Sequence, residues 1–175
     1  AAEVGAYLDE IARDRLGTDE IGFTGGEPFM NPEFGAMVAE SLRRGFRVLV
    51  LTNAMKPMTK VADALLAARA HGAERLTIRV SLDHYTRDIH EAERGPRSWA
   101  PAMQGLRWLS ENGFAIHVAA RSFSGQAEAD IRRGFAHLFA ELGVAVDAAD
   151  PRQLVIFPEM DAAVDVPEIT EACWG

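Results

Sequence analysis

Two hydrophobic periods take turns along this chain. Over residues 2–16, Val4, Tyr7, Leu8, Ile11 and Ala12 recur about every 3.6 residues, with Asp9, Glu10, Arg13 and Asp14 between them. That spacing predicts an amphipathic helix, stopped at Gly17. A short strand follows near 20–24, then a helix from about Glu33 that places Phe34, Met37, Val38, Ser41 and Leu42 on one face. The closing Arg43-Arg44-Gly45 puts basic residues and then glycine at a carboxyl end. Residues 46–52 (FRVLVLT) and 76–83 read as strands, separated by a helix that starts at Pro57, reaches about His71 and ends at Gly72. A long polar connection covers 84–97 and is marked as functional by its length. Helix 100–112, strand 114–121, helix 128–142 and strand 154–157 complete the series. Helices and strands alternate throughout, which predicts βαβ units and a parallel sheet.

The strands divide their side chains by face. In 76–83, Leu76, Ile78, Val80 and Leu82 oppose Thr77, Arg79, Ser81 and Asp83; in 114–121, Phe114, Ile116 and Val118 oppose His117 and Arg121. A doubly wound sheet is covered by helices on both faces, and its strands are apolar throughout. One apolar face and one charged face predict an open barrel, with helices outside and a solvated, ligand-holding lumen inside. Charges in a lumen are costly unless paired or ligand-bound. Arg79 and His117 sit deep enough for mutual satisfaction with Asp83 and Arg121 to compete with a ligand role. Ser81, Asp83 and Arg121 lie nearer the carboxyl ends, where ligands bind in such folds.

Composition narrows the picture. The 175 residues predict one domain, and a hydrophobic content of 48% is enough for a sizeable core. A net charge of −8 argues against a general nucleic-acid surface. No apolar run reaches the roughly 20 residues that span a bilayer, and no signal peptide opens the chain. No membrane association and a cytoplasmic location are the expectations, the latter supported by the single cysteine, Cys173, which permits no internal disulfide.

The stretch 21–32 organises the chemistry. A strand runs into Gly25-Gly26, then a lone carboxylate, Glu27, then Pro28, with Asn31-Pro32 leading to the next helix. Paired glycines let a ligand approach the main chain closely. Here the sequence resembles the radical S-adenosylmethionine (SAM) superfamily, whose Gly-Gly-Glu-Pro meets the amino group of SAM. Further strand ends carry the likeness. Thr24-Gly25-Gly26-Glu27-Pro28 matches the amine-binding motif, and Thr52-Asn53-Ala54 resembles the family's Thr-Asn-Gly with alanine for glycine. Val80-Ser81-Leu82-Asp83 is similar to Val-Ser-Leu-Asp near the ribose. Arg121 falls where many members hold the SAM carboxylate, and Phe157 where the backbone approaches adenine.

The resemblance implies an α/β fold: a partial (β/α)6 TIM-type barrel of parallel strands over 1–157, its first strand missing from this chain. Residues 158–175 are expected to be an extension or the start of a following segment. It implies SAM and a 4Fe–4S cluster as cofactors, and a small-molecule or peptide substrate. It also implies an electron donor such as flavodoxin or ferredoxin. The family's Cys-x3-Cys-x2-Cys is not found here, so its ligands are expected upstream. Cys173 is either a first auxiliary-cluster ligand or a structural cysteine. His84, Tyr85, His90 and Arg94 in the long loop are candidates for substrate contact, alongside Glu91 and Glu93; their spacing matches no established metal motif. Two alternatives remain: a non-catalytic SAM- or ligand-binding barrel without a cluster, and an α/β barrel for a phosphorylated metabolite using Ser124-Gly125-Gln126.

Overall fold

The computed structural model describes residues 1–123 and 125–158. Ser124, Cys173 and nearly all of the proposed 158–175 extension therefore lie outside the described residues. Among the described residues, five strands form one sheet: β1 (Glu20–Phe23), β2 (Arg47–Thr52), β3 (Leu76–Ser81), β4 (Ala115–Arg121) and β5 (Leu154–Phe157). All four pairings are parallel, and the strands lie side by side in chain order, so β1 and β5 are the two edges. A doubly wound sheet reverses its strand order at a switch point. Here the order never reverses, as in a barrel that has not closed.

The helices are α1 (Ala2–Asp14), α2 (Phe34–Arg43), α3 (Lys56–Lys60), α4 (Ala62–Arg69), α5 (Arg87–Arg94), α6 (Trp99–Glu111) and α7 (Glu128–Leu142). They bury one face of the sheet. Val48, Val50, Ile78, Val80, Val118 and Leu154 are almost without exposure and join one core with Val38, Leu42, Leu65, Leu106, Leu109 and Phe135 from the helices. Burial of this apolar surface is the main force holding helices to sheet, about 1.5–3 kcal/mol for each large side chain. The alternate face carries Leu51, Arg79, Ser81, His117 and Ala119, all half-buried. The division of the strands into an apolar and a polar face is thus the division between the packed outside and the open inside of a partial barrel.

Two elements differ from the sequence expectation. The helix expected from Pro57 to His71 is two helices, broken at Val61, whose φ of −114° and ψ of 22° leave the helical region. The two pieces have different neighbours: α3 packs on α6 and on the 3₁₀ turn Pro28–Met30, whereas α4 packs on α2. One straight axis does not serve both. The connection 84–97 is not irregular either, since α5 occupies most of it. Its inward residue is His90, fully buried, so the helical face was written in a residue that reads as polar. Helix α1 is shorter than expected: Arg15, not Gly17, ends it in the left-handed conformation (φ 53°).

Candidate active site at the carboxyl ends of the strands

The turn after β1 is built on glycine geometry. Gly25 and Gly26 have φ of 96° and 33°, and an added Cβ at either would meet nothing within 4 Å. Glycine is needed there for the backbone angle, and the space beside it is open. Glu27 then caps the 3₁₀ turn Pro28–Met30. Its carboxylate accepts three hydrogen bonds: from Phe29 N (3.3 Å), from the Thr52 hydroxyl (2.8 Å) and from Asn53 N (2.9 Å). Thr52 is buried and its Oγ1 accepts in turn from Ala54 N (3.0 Å). The strand ends of β1 and β2 are therefore tied through one half-buried carboxylate. A groove of about 610 Å³ beside it is walled by Thr24, Gly25, Gly26, Glu27 and Pro28 with Met37.

A second cluster sits past the ends of β3 and β4. Asp83 is 2% exposed; it accepts from Arg94 on α5 and forms an ion pair with Arg121 at the end of β4, whose Nε lies 3.0 Å away. Arg121 also lies 3.6 Å from Glu93. Two guanidiniums and two carboxylates thus balance at the mouth of a cavity of about 380 Å³, which Asn53 and Met55 complete from the β2 side. His90 Nδ1 stands 3.9 Å from Asp83, and neither ring nitrogen has a hydrogen-bond partner among the described residues. Burial lowers the His90 pKa below its ordinary value, partly opposed by the Asp83 charge. A neutral ring packed edge-on to Trp99 follows.

His84 is closed off. Its Nδ1 accepts from Thr86 N (3.0 Å), which fixes the proton on Nε2, facing Gln126 Oε1 at 3.1 Å. Gln126 Nε2 donates to the Tyr85 hydroxyl (3.0 Å), and Tyr85 stacks on His84. Burial lowers the His84 pKa. Of the four loop candidates for substrate contact, the structure puts His84 and His90 in packed interiors and leaves Tyr85 half-buried. Arg94 stands at the cavity.

The remaining strand-end residues are spread along the same rim. Ser81 is half-buried on the open face, and Arg121 and Phe157, adjacent in the β4–β5 register, are both more than half exposed. Two relationships escaped the sequence: the clasp of Glu27 by Thr52 and Asn53, and the service of Asp83 to two arginines. Among the described residues, no three His, Cys, Asp or Glu side chains converge to hold a metal ion, and no helix is long and apolar enough to cross a membrane.

An unclosed parallel barrel with a Gly-Gly-Glu-Pro turn and polar groups at successive strand ends defines a class of ligand-binding α/β proteins, and comparison gives the family. The chain matches the Radical SAM superfamily over residues 1–132. It belongs to that superfamily. It is 32% identical to the mycofactocin maturase MftC of Mycobacterium ulcerans (strain Agy99) over 108 residues, 62% of this chain and 27% of that protein. It is 38% identical to the GTP 3',8-cyclase of Rhodococcus opacus (strain B4) over 118 residues, 66% of this chain and 31% of that protein. The chain thus spans less than a third of these relatives. Among solved structures, Streptococcus suis SuiB bound to S-adenosylmethionine superposes with a TM-score of 0.60 at 12% identity, over 82% of this chain and 30% of that one. SuiB bound to precursor peptide SuiA superposes at 0.59 and 14% identity, over the same shares of 82% and 30%.

Enzymes of this superfamily use SAM and a 4Fe–4S cluster. The residues present fit the first: an open, glycine-lined turn beside a fixed carboxylate for an ammonium, and an arginine at the rim for a carboxylate. They do not fit the second, because one cysteine in 175 residues supplies no set of three thiolates.

Proposed function

We propose that this chain is the SAM-binding core of a radical SAM enzyme whose cluster ligands lie outside these 175 residues. The observation that carries the reading is the clasped Glu27. Three donors fix its carboxylate at the open glycine turn, within the segment that matches the family. A carboxylate held in place before the ligand arrives loses little freedom on binding an ammonium. The methionyl amine of SAM lies against Glu27 and the Gly25–Gly26 backbone, and Arg121 meets its carboxylate. Ser81 and Asn53 take hydroxyls of the ribose, and Phe157 at the β5 end flanks the adenine. Asp83 acts through Arg121 and Arg94. When bound, SAM would supply the radical chemistry with an electron from the cluster, and this chain would hold and orient it.

The partner protein chemistry follows the relatives. A maturase and a structure bound to a precursor peptide are among them, which supports a peptide or a small molecule as the substrate; a flavodoxin or ferredoxin as electron donor is part of the same reading. The test is SAM binding by the full-length protein, measured by calorimetry for the parent and for Glu27→Ala. At least about tenfold weaker binding in the variant is expected, from the loss of a charge-assisted contact. Equal affinity in a folded Glu27→Ala protein overturns the assignment.

A further inference from the structure

One layer below Ser81, on the same open face, the register sets Arg79 of β3 directly beside His117 of β4. Strand geometry puts this layer about 6–7 Å deeper than Ser81, towards the floor of the barrel. Among the described residues, neither has all its polar atoms paired. Arg79 Nε and His117 Nδ1 are buried and have no hydrogen-bond partner. No carboxylate among the described residues comes within 4.0 Å of the Arg79 guanidinium. The acids at this end of the barrel are engaged elsewhere: Asp150 holds Arg152 at 2.8 Å, and Glu20 lies 3.7 Å from Arg47. Among the described residues, Arg79 is therefore a half-buried cation without a counter-ion, next to an imidazole with an unused nitrogen. Its cross-strand neighbour on β2, Leu51, offers no acceptor, and neither Thr77 nor Ser81 beside it on the same face makes a hydrogen bond with it among the described residues.

A lone, partly desolvated guanidinium is costly unless a ligand completes it. Its planar donor fork matches an oxyanion in two parallel hydrogen bonds. We propose that Arg79 and His117 form an oxyanion site on the floor of the barrel, which takes a carboxylate or phosphate group of the substrate. Arg79 supplies the charge and the fork, and neutral His117 supplies one N–H. The site deepens the functional reading above, on which it rests for taking the open face as the substrate chamber. The anion anchors the substrate at depth, with its reacting end towards the rim where Ser81 and Glu27 stand.

The experiment is a nuclear magnetic resonance titration of this chain, following the Arg79 side-chain Nε–H and the His117 ring. Inorganic phosphate and glutarate are the probes, in separate arms. Saturable shifts of both signals with at least one probe are expected, with roughly tenfold weaker binding in Arg79→Gln and an intermediate value in Arg79→Lys. Response to phosphate alone assigns a phosphorylated substrate, and response to glutarate a carboxylate. No saturable shift with either probe, or shifts confined to Arg94 and Arg121, overturns the proposal. So does undiminished binding by a folded Arg79→Gln chain. If Arg79→Gln does not fold, the parent and Arg79→Lys titrations decide alone. A failure of the SAM reading shows separately, as equal SAM binding by Glu27→Ala.

Discussion

The Thr52 hydroxyl donates to Glu27 Oε1 across 2.8 Å, joining the ends of two neighbouring strands through residues 25 positions apart. The same hydroxyl accepts from Ala54 N, so one buried oxygen closes a chain of three groups. Thr52→Val keeps the shape and removes that oxygen. It leaves a backbone N–H without its acceptor and Glu27 with one donor fewer, and should lower stability by about 1–3 kcal/mol. Thr52→Ser should recover most of the loss. Urea unfolding of the two variants measures both, and an unchanged midpoint for Thr52→Val would show that the hydroxyl holds nothing.

Asp83 gathers Arg94 and Arg121 around a carboxylate that water hardly reaches. Its removal frees two partly exposed arginines that water can resolvate, so Asp83→Ala should cost about 1–3 kcal/mol, less than an ion pair buried on both sides. In the full-length protein SAM affinity should fall further for Asp83→Ala than for Ser81→Ala, because the first misplaces Arg121 and the second removes a single neutral contact. Calorimetric titration beside thermal melts separates the two effects. A larger loss of affinity in Ser81→Ala would place the ribose, not the arginine pair, at the centre of recognition.

Acid should destabilise the fold through its histidines. Burial lowers the pKa of His84, His90 and His117 below the ordinary 6.5, with the Arg79 charge adding to the effect at His117. Below that value the unfolded chain takes up protons that the folded chain refuses, so stability is full above it and declines as pH falls towards the folded values. Melting temperature should therefore drop between neutral pH and about pH 5. His90→Leu should flatten part of that slope and leave neutral-pH stability unchanged or higher, since it removes two buried nitrogens that have no partners. A slope unaltered in His90→Leu would exclude His90 from the titration.

Gly105 on α6 is where a helix touches the strand-end turn. A Cβ there would lie 1.8 Å from the carbonyl oxygen of Ala54, and Ala54 itself sits fully buried at φ 54°. Gly105→Ala should cost about 3 kcal/mol, the upper end of overpacking, because backbone and not a flexible side chain is in the way. Ala54→Gly should be tolerated far better, as glycine relieves the left-handed backbone angle. Chemical denaturation of both variants checks the contrast, and a Gly105→Ala protein as stable as the parent would mean that α6 can shift outward freely.

Much of this molecule is written locally. The periods in Leu76–Ser81 and in Glu128–Leu142 report which face meets the core, because neighbours along a strand or helix share one environment. The order of the elements gave a parallel sheet, and the Gly-Gly-Glu-Pro turn marked its ligand end. Other features depend on residues that only the folded register brings together. The sequence shows His90 as one more polar residue of a loop, yet it is the inward residue of α5, because Trp99 and Asp83 close over it. It allows Arg79 and His117 to be satisfied by Asp83 and Arg121, but the strand ends spend Asp83 on Arg94 and Arg121 and leave the deeper pair without it. It marks Glu27 as a lone carboxylate, whereas the pairing of β1 with β2 brings Thr52 and Asn53 to it. Periodicity records burial along one element, and a hydrogen bond between strand ends is decided by the register between two.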